Sequence, residues 1–238
     1  MRTKILLILL FASACTATQV NQAIDEASRT METGAAPTSD EVSLALKEAL
    51  MKGIVNGADQ VSLTDGYYKN TSITIPFPPE FTKVEKKLRQ IGFGKDVDKF
   101  IMAMNRGAED AAREAKPIFA TAIQAMTIED AWGILKGNPD AATQYLKRTT
   151  SPQIKEKFKP IIQSSLDKVS ATRYYTDIVN TYNKIPFVEK VNPDLNDYTT
   201  DLAMRGLFFM VAVEERKIRD NPVERTSDLL KKVFAYQK

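Results

Sequence analysis

The sequence predicts an all-α fold, a single bundle-like domain of several helices with one extended loop or short β-hairpin near residues 63–79. Apolar residues recur at the three- and four-residue spacing of amphipathic helices through most of residues 41–238. Capping residues, prolines and glycines separate these stretches where helix ends are expected. A strand pattern occurs only once, as the turn dipeptide Asp65-Gly66 followed by alternating isoleucines. Helices should therefore form nearly all of the body.

Each expected helix starts at a capping residue or proline and stops near a glycine or proline. Thr127 and Asp130, for example, have the spacing of a capping box. In the first half of the chain, we expect one helix from the cap Ser39 to Gly53 or Gly57, one over 79–88 with Gly92 as its stop signal, one over 96–116, and a kink or a new helix from Pro117 to Met126. In the second half, we expect one helix from the cap Thr127 to Gly137, helices that begin at Asn138-Pro139 and at Ser151-Pro152, and one over 195–219. A last helix follows Asn221-Pro222 and ends near Phe234.

Composition excludes several kinds of chemistry. The 33 basic and 30 acidic residues give a formal net charge of only +3, so we expect no nucleic-acid partner. The chain has no histidine, which excludes histidine-based nucleophile systems and histidine-ligated metals. Its single cysteine leaves no intramolecular disulfide and no cysteine-rich metal site. We therefore expect no metal, no cofactor and no catalytic residue of these types.

The N-terminus has the pattern of an export signal. A basic start, an apolar run over residues 5–11 and small residues before Cys15 are typical of a secretory signal peptide. Either ordinary cleavage leaves Cys15 as a free N-terminal residue, or Cys15 is diacylated as in a bacterial lipoprotein. The second reading is favoured because Cys15 is the only cysteine and an exposed thiol is reactive.

This reading divides the chain into a signal peptide over 1–14, a lipid-anchored flexible tether over 15–40 and a helical domain over 41–238. Residues 16–40 carry few large apolar side chains, as expected for a tether. Thr16 after Cys15 resembles lipoproteins that are sent to an outer membrane. We expect an exported protein on the periplasmic side of the bacterial envelope, held at the outer membrane through its N-terminal acyl chains.

Polar residues on otherwise apolar helix faces are the candidate site. Asn105 lies at the shoulder of an apolar stripe, and Glu214 shares a helical line with Leu207, Val211 and Ile218. Buried carboxylates must be paired or protonated, and arginines are available. The residues could form a charged cleft or a structural network that fixes helix packing, and the network is favoured. The candidate polar cluster comprises Asn105, Arg106, Glu109, Asp130, Glu214, Glu215, Arg219 and Arg225.

Several motifs in order carry a family resemblance. They are Asn70-x-x-Ile73-x-Ile75-Pro76, Met104-Asn105-Arg106, Met126-Thr127-x-x-Asp130-Ala131, Gly206-Leu207-Phe208 and Glu214-Glu215-x-x-Ile218-Arg219-x-Asn221-Pro222-x-x-Arg225-Thr226. Together they resemble the bacterial family called domain of unknown function 4197, over roughly residues 41–236. The resemblance implies a helical fold and an envelope location, and it implies no activity.

Three hypotheses about function remain open. The first is a non-enzymatic envelope lipoprotein that binds a partner protein or ligand, or serves a structural role. The second is a carrier of a lipid or other apolar molecule in a cavity between helices. The third is a glycan hydrolase that uses carboxylates alone, with Glu214 and Glu109 as acid and base. The aromatic residues that suggest the carrier are Tyr67, Tyr68, Phe77, Phe208 and Phe209.

Overall fold

The computed structural model describes residues 36–184, 186–187 and 190–236. The predicted leader, Cys15 and residues 16–35 of the predicted tether lie outside this range. No helix in the described part is long and apolar enough to cross a bilayer. The helices are α1 Ser39–Ser62, α2 Thr82–Gln90, α3 Gly94–Ala112, α4 Ala115–Gln124, α5 Ile128–Lys136, α6 Ala141–Asp167, α7 Ala171–Tyr182, α8 Leu195–Asp220 and α9 Asp228–Ala235, with short 3₁₀ turns at Pro79–Phe81 and Pro222–Glu224.

The four long helices form the centre of the fold. α8 packs against α1, α3 and α6, and α3 also packs against α6. The shorter helices α4, α5 and α9 cover α1, while α2 lies on α3 and α7 lies on α6 and α8. One continuous core of buried apolar side chains runs through these contacts. The predicted all-α class is confirmed.

Side-chain caps mark four of the helix starts, and two of these are capping boxes. Thr38, one residue before the predicted cap Ser39, accepts a hydrogen bond from Glu41 N at 3.2 Å, and its own N–H donates to the Glu41 carboxylate at 2.7 Å. The predicted capping box of Thr127 and Asp130 is confirmed at the start of α5. These reciprocal bonds satisfy backbone donors that have no partner within the helix.

α1 runs without interruption through two glycines. The prediction that Gly53 or Gly57 ends the first helix is wrong, because the helix continues to Ser62. Both glycines are buried against α8: a methyl group at Gly57 would lie 3.3 Å from the backbone oxygen of Met210, and one at Gly53 would lie 3.6 Å from Glu214 Cβ. Packing against α8 outweighs the low helix propensity of glycine, which costs about 1 kcal/mol per residue.

α6 continues through two prolines. The predicted helix start at Ser151-Pro152 is wrong, since Pro152 and Pro160 both lie inside α6. Both prolines are exposed, whereas the opposite face of the helix is fully buried at Ile154, Phe158 and Ile162. The buried face holds the helix together despite the hydrogen bonds that proline cannot make.

The segment 63–78 is made of turns and irregular chain. The described residues contain no β-strand, so the predicted β-hairpin is not confirmed. Ile73 and Ile75 are nevertheless buried, and the backbone N–H and C=O of Ile75 both bond to the side chain of Asn105. A side chain thus satisfies backbone groups that a neighbouring strand would otherwise pair.

The first described helix is joined to the last ones. Lys232 on α9 contacts the carboxylate of Glu41 at 2.8 Å, and Ser227 Oγ donates to Glu48 at 3.0 Å. Burial raises the pKa of Glu48, against the opposing effects of Ser227 and Lys52. These contacts join α1 to α9 and its cap, which lie almost two hundred residues apart in the sequence.

We predict opposite outcomes for two glycine substitutions in α1. Gly53→Ala should raise the free energy of unfolding by about 0.5–1 kcal/mol, because alanine favours the helix and its methyl group meets only ordinary contacts. Gly57→Ala should give no gain or a loss, because its methyl group meets the α8 backbone. Urea denaturation followed by circular dichroism measures both. Equal stabilisation by the two substitutions would contradict the close approach of α1 and α8.

Candidate functional site

The predicted polar cluster divides into separate groups in the structure. Asn105, Arg106 and Glu109 lie on α3 and bind the segment 63–78. Glu215, Arg219 and Arg225 form a second group at one end of α8. Asp130 caps α5, and Glu214 pairs near the middle of the α1–α8 contact.

Asn105 fixes the irregular segment at Ile75. Its side chain is fully buried, whereas its position on the helix predicts partial burial. Asn105 Nδ2 donates to Ile75 O at 2.9 Å and to Ile101 O at 2.8 Å, while Oδ1 accepts from Ile75 N at 2.9 Å. Both ends of the amide are occupied, so Asn105 acts as a substitute for a neighbouring strand.

Glu109 fixes the turn that precedes this segment. One carboxylate oxygen accepts the backbone N–H groups of Tyr67 and Tyr68, each at 3.1 Å, and the other accepts Arg106 Nη1 at 2.5 Å. Arg106 also contacts Asp65 at 2.6 Å. Hydrogen bonds to Glu109 and then to Asp65 raise the pKa of Arg106, and bonds from Lys69 and Arg106 lower the pKa of Asp65. The buried carboxylate is thus paired and held by backbone donors.

Tyr67 is part of the core and not of an open cavity. Its hydroxyl donates to Ala203 O on α8 at 2.6 Å, and burial raises its pKa, with a further contribution from the charge of Glu109. A methyl group at Gly206 would lie only 2.6 Å from Tyr67 Cε1. Glycine at this position therefore lets the tyrosine ring lie directly on α8.

Glu215 joins three helices. Its carboxylate accepts the backbone N–H groups of Ala142 and Thr143 at 3.0 and 2.8 Å, at the start of α6. Arg219 Nε donates to the same carboxylate at 2.9 Å, and Arg219 Nη2 donates to Ile134 O on α5 at 2.9 Å. The Glu215 carboxylate therefore lies at the N-terminus of α6, and the Arg219 guanidinium lies at the C-terminal turn of α5. Each charge is stabilised by the dipole of the helix that it contacts.

Arg219 and Arg225 complete this group. Arg225 donates to the backbone oxygens of Ile218 and Arg219, and its guanidinium lies 5.4 Å from the ring centre of Phe234. Arg219 Nη1 is buried without a hydrogen-bond partner among the described atoms. The arginines hold the end of α8 against α5 and α9.

Glu214 is buried, as its place on the helix predicts. Lys217 Nζ contacts its carboxylate at 2.6 Å, and Gln60 Nε2 donates to it at 3.5 Å. The described residues contain no group of three or more potential ligands that could hold a metal ion. The buried carboxylates of Glu109, Glu214 and Glu215 each accept hydrogen bonds from neighbouring groups.

The five aromatic residues predicted to line a carrier cavity do not share one cavity: Phe208 and Phe209 both line an open pocket of about 650 Å³ between α6 and α8, whereas Tyr67, Tyr68 and Phe77 do not. Phe208 packs edge-to-face on Phe119 in the core, with ring centres 5.7 Å apart, while Phe209 on the same helix is 47% exposed. Tyr68 lies half-buried beneath Arg106. Phe77 lines a separate apolar groove between α3 and α7.

An apolar groove of about 520 Å³ lies between α3 and α7. Its floor includes Phe77 and Phe100, whose ring centres are 5.0 Å apart. At the rim, Phe93 is 51% exposed and Tyr174 is 63% exposed. The groove is lined by Phe77, Leu88, Phe93, Asp96, Val97, Lys99, Phe100, Val169, Ala171, Tyr174, Tyr175 and Ile178.

Sequence reasoning missed this groove. Two signals point to it: the apolar residues of Ile91-Gly92-Phe93 in a turn between helices, and the adjacent pair Tyr174-Tyr175 on an amphipathic helix. Burial raises the pKa of Tyr175 to about 12, and the charges of Glu80 and Asp194 contribute smaller effects in the same direction. Its hydroxyl is therefore neutral at physiological pH.

A protein-family model described as "Protein of unknown function (DUF4197)" matches residues 36–235. The chain belongs to this family. The match confirms the resemblance that the motifs indicate, and it covers every helix from α1 to α9. No curated protein and no solved structure matches the chain. The geometry of the family domain is therefore the basis for any statement about function.

We predict that Asn105 is essential for stability. Asn105→Leu should lower the free energy of unfolding by about 2–4 kcal/mol, because the N–H and C=O of Ile75 would remain buried without partners. Asn56→Leu, at an exposed position on α1, is the matched control and should change stability by less than about 0.5 kcal/mol. Urea denaturation measures both, and similar midpoints for the two variants would refute the role of Asn105.

Proposed function

We propose that the protein is a lipid-anchored, non-enzymatic binding module of the bacterial envelope, and that its helical body holds an apolar ligand in the groove between α3 and α7. The groove is the observation that carries this proposal. Its volume of about 520 Å³ lies in the range of small-molecule sites, about 300–1,000 Å³. Exposed aromatic rings at its rim, such as Phe93 and Tyr174, offer surface that binding would bury.

The anchor is supported by the order of residues at the N-terminus. A signal-like segment leads directly to Cys15, the only cysteine of the chain. Two acyl chains would hold the protein firmly at a membrane, whereas one gives marginal binding.

The interior polar groups support a binding role over hydrolysis. A carboxylate-only glycan hydrolase needs two available carboxyl groups that face one cleft, about 5–9.5 Å apart. The candidates Glu109 and Glu214 are buried, and each is paired with a cation, Arg106 or Lys217. Neither has the open surroundings that a substrate sugar requires.

The carrier hypothesis is favoured in a modified form. The five predicted aromatic residues do not enclose one cavity, since Phe208 and Phe209 line a pocket on α8 and Phe77 lines the groove, and it is the groove that offers the more apolar lining. It reaches the surface at Phe93 and Tyr174, so a ligand could enter without rearrangement of the core. A partner protein that inserts apolar side chains would use the same surface and is the second candidate.

We predict that Cys15→Ala releases the protein from membranes. The substitution removes the only sulfur to which acyl chains could be attached at this position. Fractionation of cells that express either form, followed by immunoblotting, measures the distribution between the membrane and soluble fractions. Equal membrane retention of the variant and the original chain would refute the lipid anchor.

We predict that the groove binds N-phenyl-1-naphthylamine, a neutral aromatic probe that fluoresces in apolar surroundings. The double substitution Phe93→Ser and Tyr174→Ser should weaken binding about tenfold, because it removes exposed aromatic surface from the rim. Both side chains are more than half exposed, so the fold should persist.

Tyr236→Ser is the matched control, since Tyr236 is 52% exposed and does not line the groove. The control should bind the probe as the original chain does. No binding by the original chain, or equal binding by the double variant, would overturn the groove as the binding site. Probe displacement by a co-purified protein would instead identify the second candidate.

A further inference from the structure

The elements around the groove are more basic than the chain as a whole. Residues 82–99 contain six basic and three acidic side chains, and residues 168–178 contain two basic and one acidic. The carboxylates of Glu80 and Asp194 also lie near Tyr175 at the groove, so the local excess of basic side chains is small. This excess favours anions over cations near the groove.

Among the described residues that line the groove, two are charged, Asp96 and Lys99 on α3. They lie one turn apart, with Lys99 Nζ 3.6 Å from Asp96 Oδ1, and both are about two-thirds exposed. An exposed pair at this separation is weak and readily exchanged. Lys99 can therefore turn to an anionic group at the rim, since its flexible stem lies along apolar surface.

The other described lining side chains are apolar or aromatic, so the groove combines an apolar body with one cationic group, Lys99, beside the carboxylate of Asp96. The hydroxyl of Tyr175 donates to Asn192 O at 3.2 Å and is already engaged. An uncharged ligand would make no use of Lys99, and a cation would be repelled by the basic surroundings.

We propose that the ligand of this groove is a small amphiphilic acid, whose apolar part lies along Phe77, Phe93 and Phe100 and whose acid group meets Lys99. This inference rests on the proposed function and specifies the chemical class of ligand. The concave shape favours a free molecule with a single apolar part over the surface of a bilayer, because the floor at Phe77 and Leu88 lies below the exposed rim.

The test compares cis-parinaric acid, a fluorescent linear carboxylic acid, with its neutral methyl ester. The whole chain carrying Cys15→Ala is used, so that detergent does not compete for the groove. We expect the acid to bind at a single saturable site. Lys99→Gln should weaken binding of the acid about two- to fivefold and leave binding of the ester unchanged.

A second variant acts in the opposite direction. Asp96→Asn should tighten binding of the acid about two- to fivefold, because it removes the competing carboxylate, and a misfolded protein could not produce this gain. Lys157→Gln, at an exposed position on α6 outside the groove, is the control and should change neither affinity.

The outcomes separate the two proposals. If acid and ester bind equally and Lys99→Gln affects neither, the groove binds apolar molecules, but the proposal that its ligand is an acid is overturned. If neither ligand nor the neutral aromatic probe binds, the proposed function fails as well. Binding to vesicles that contain anionic phospholipid, without binding of the free acid, would identify the basic face as a membrane-docking surface and would also overturn the acid.

Discussion

The ion pair of Glu215 and Arg219 fixes the position of three helices in a nearly dry environment. Their side chains are 6% and 4% exposed, and together they bond to the first turn of α6 and the last turn of α5. Removing either partner would leave a buried charge, which costs far more than a surface ion pair contributes. The central contact of α6 with α8 therefore depends on this buried ion pair as well as on apolar packing. It also supports α7, which packs on α6 and α8 and forms one side of the groove.

Buried polar groups have the same role elsewhere in the molecule. Asn105 and Glu109 hold a segment without regular secondary structure, and each satisfies backbone groups that would otherwise be buried without partners. Such groups resemble a catalytic cluster in a sequence, because both need charged residues on apolar helix faces. Their hydrogen-bond partners distinguish the two cases. Here the partners are backbone N–H and C=O groups, so the polar residues stabilise the fold.

The fold class and the burial of Asn105 and Glu214 could be predicted from the sequence, because helical spacing determines which residues face the core. The grouping of the polar residues could not. Glu215 bonds to Ala142 and Thr143, which are more than seventy residues away, and no local pattern encodes that contact. The continuation of α1 through Gly57 and of α6 through Pro152 likewise depends on tertiary packing, which outweighs local propensity. The volume of the groove depends on the distance between α7 and α3, which no local sequence pattern predicts.

The pairing of α1 with α8 and α9 has a consequence for the order in which the chain folds. The contacts of Lys52 with Glu224 and of Glu41 with Lys232 join residues near both limits of the described body. α1 also packs against α3, α4 and α5, so its burial can begin with these helices, but it is completed only when α8 and α9 have been made. Until then α1 exposes part of its apolar stripe. A chain that ends before α9 would leave this part of α1 uncovered.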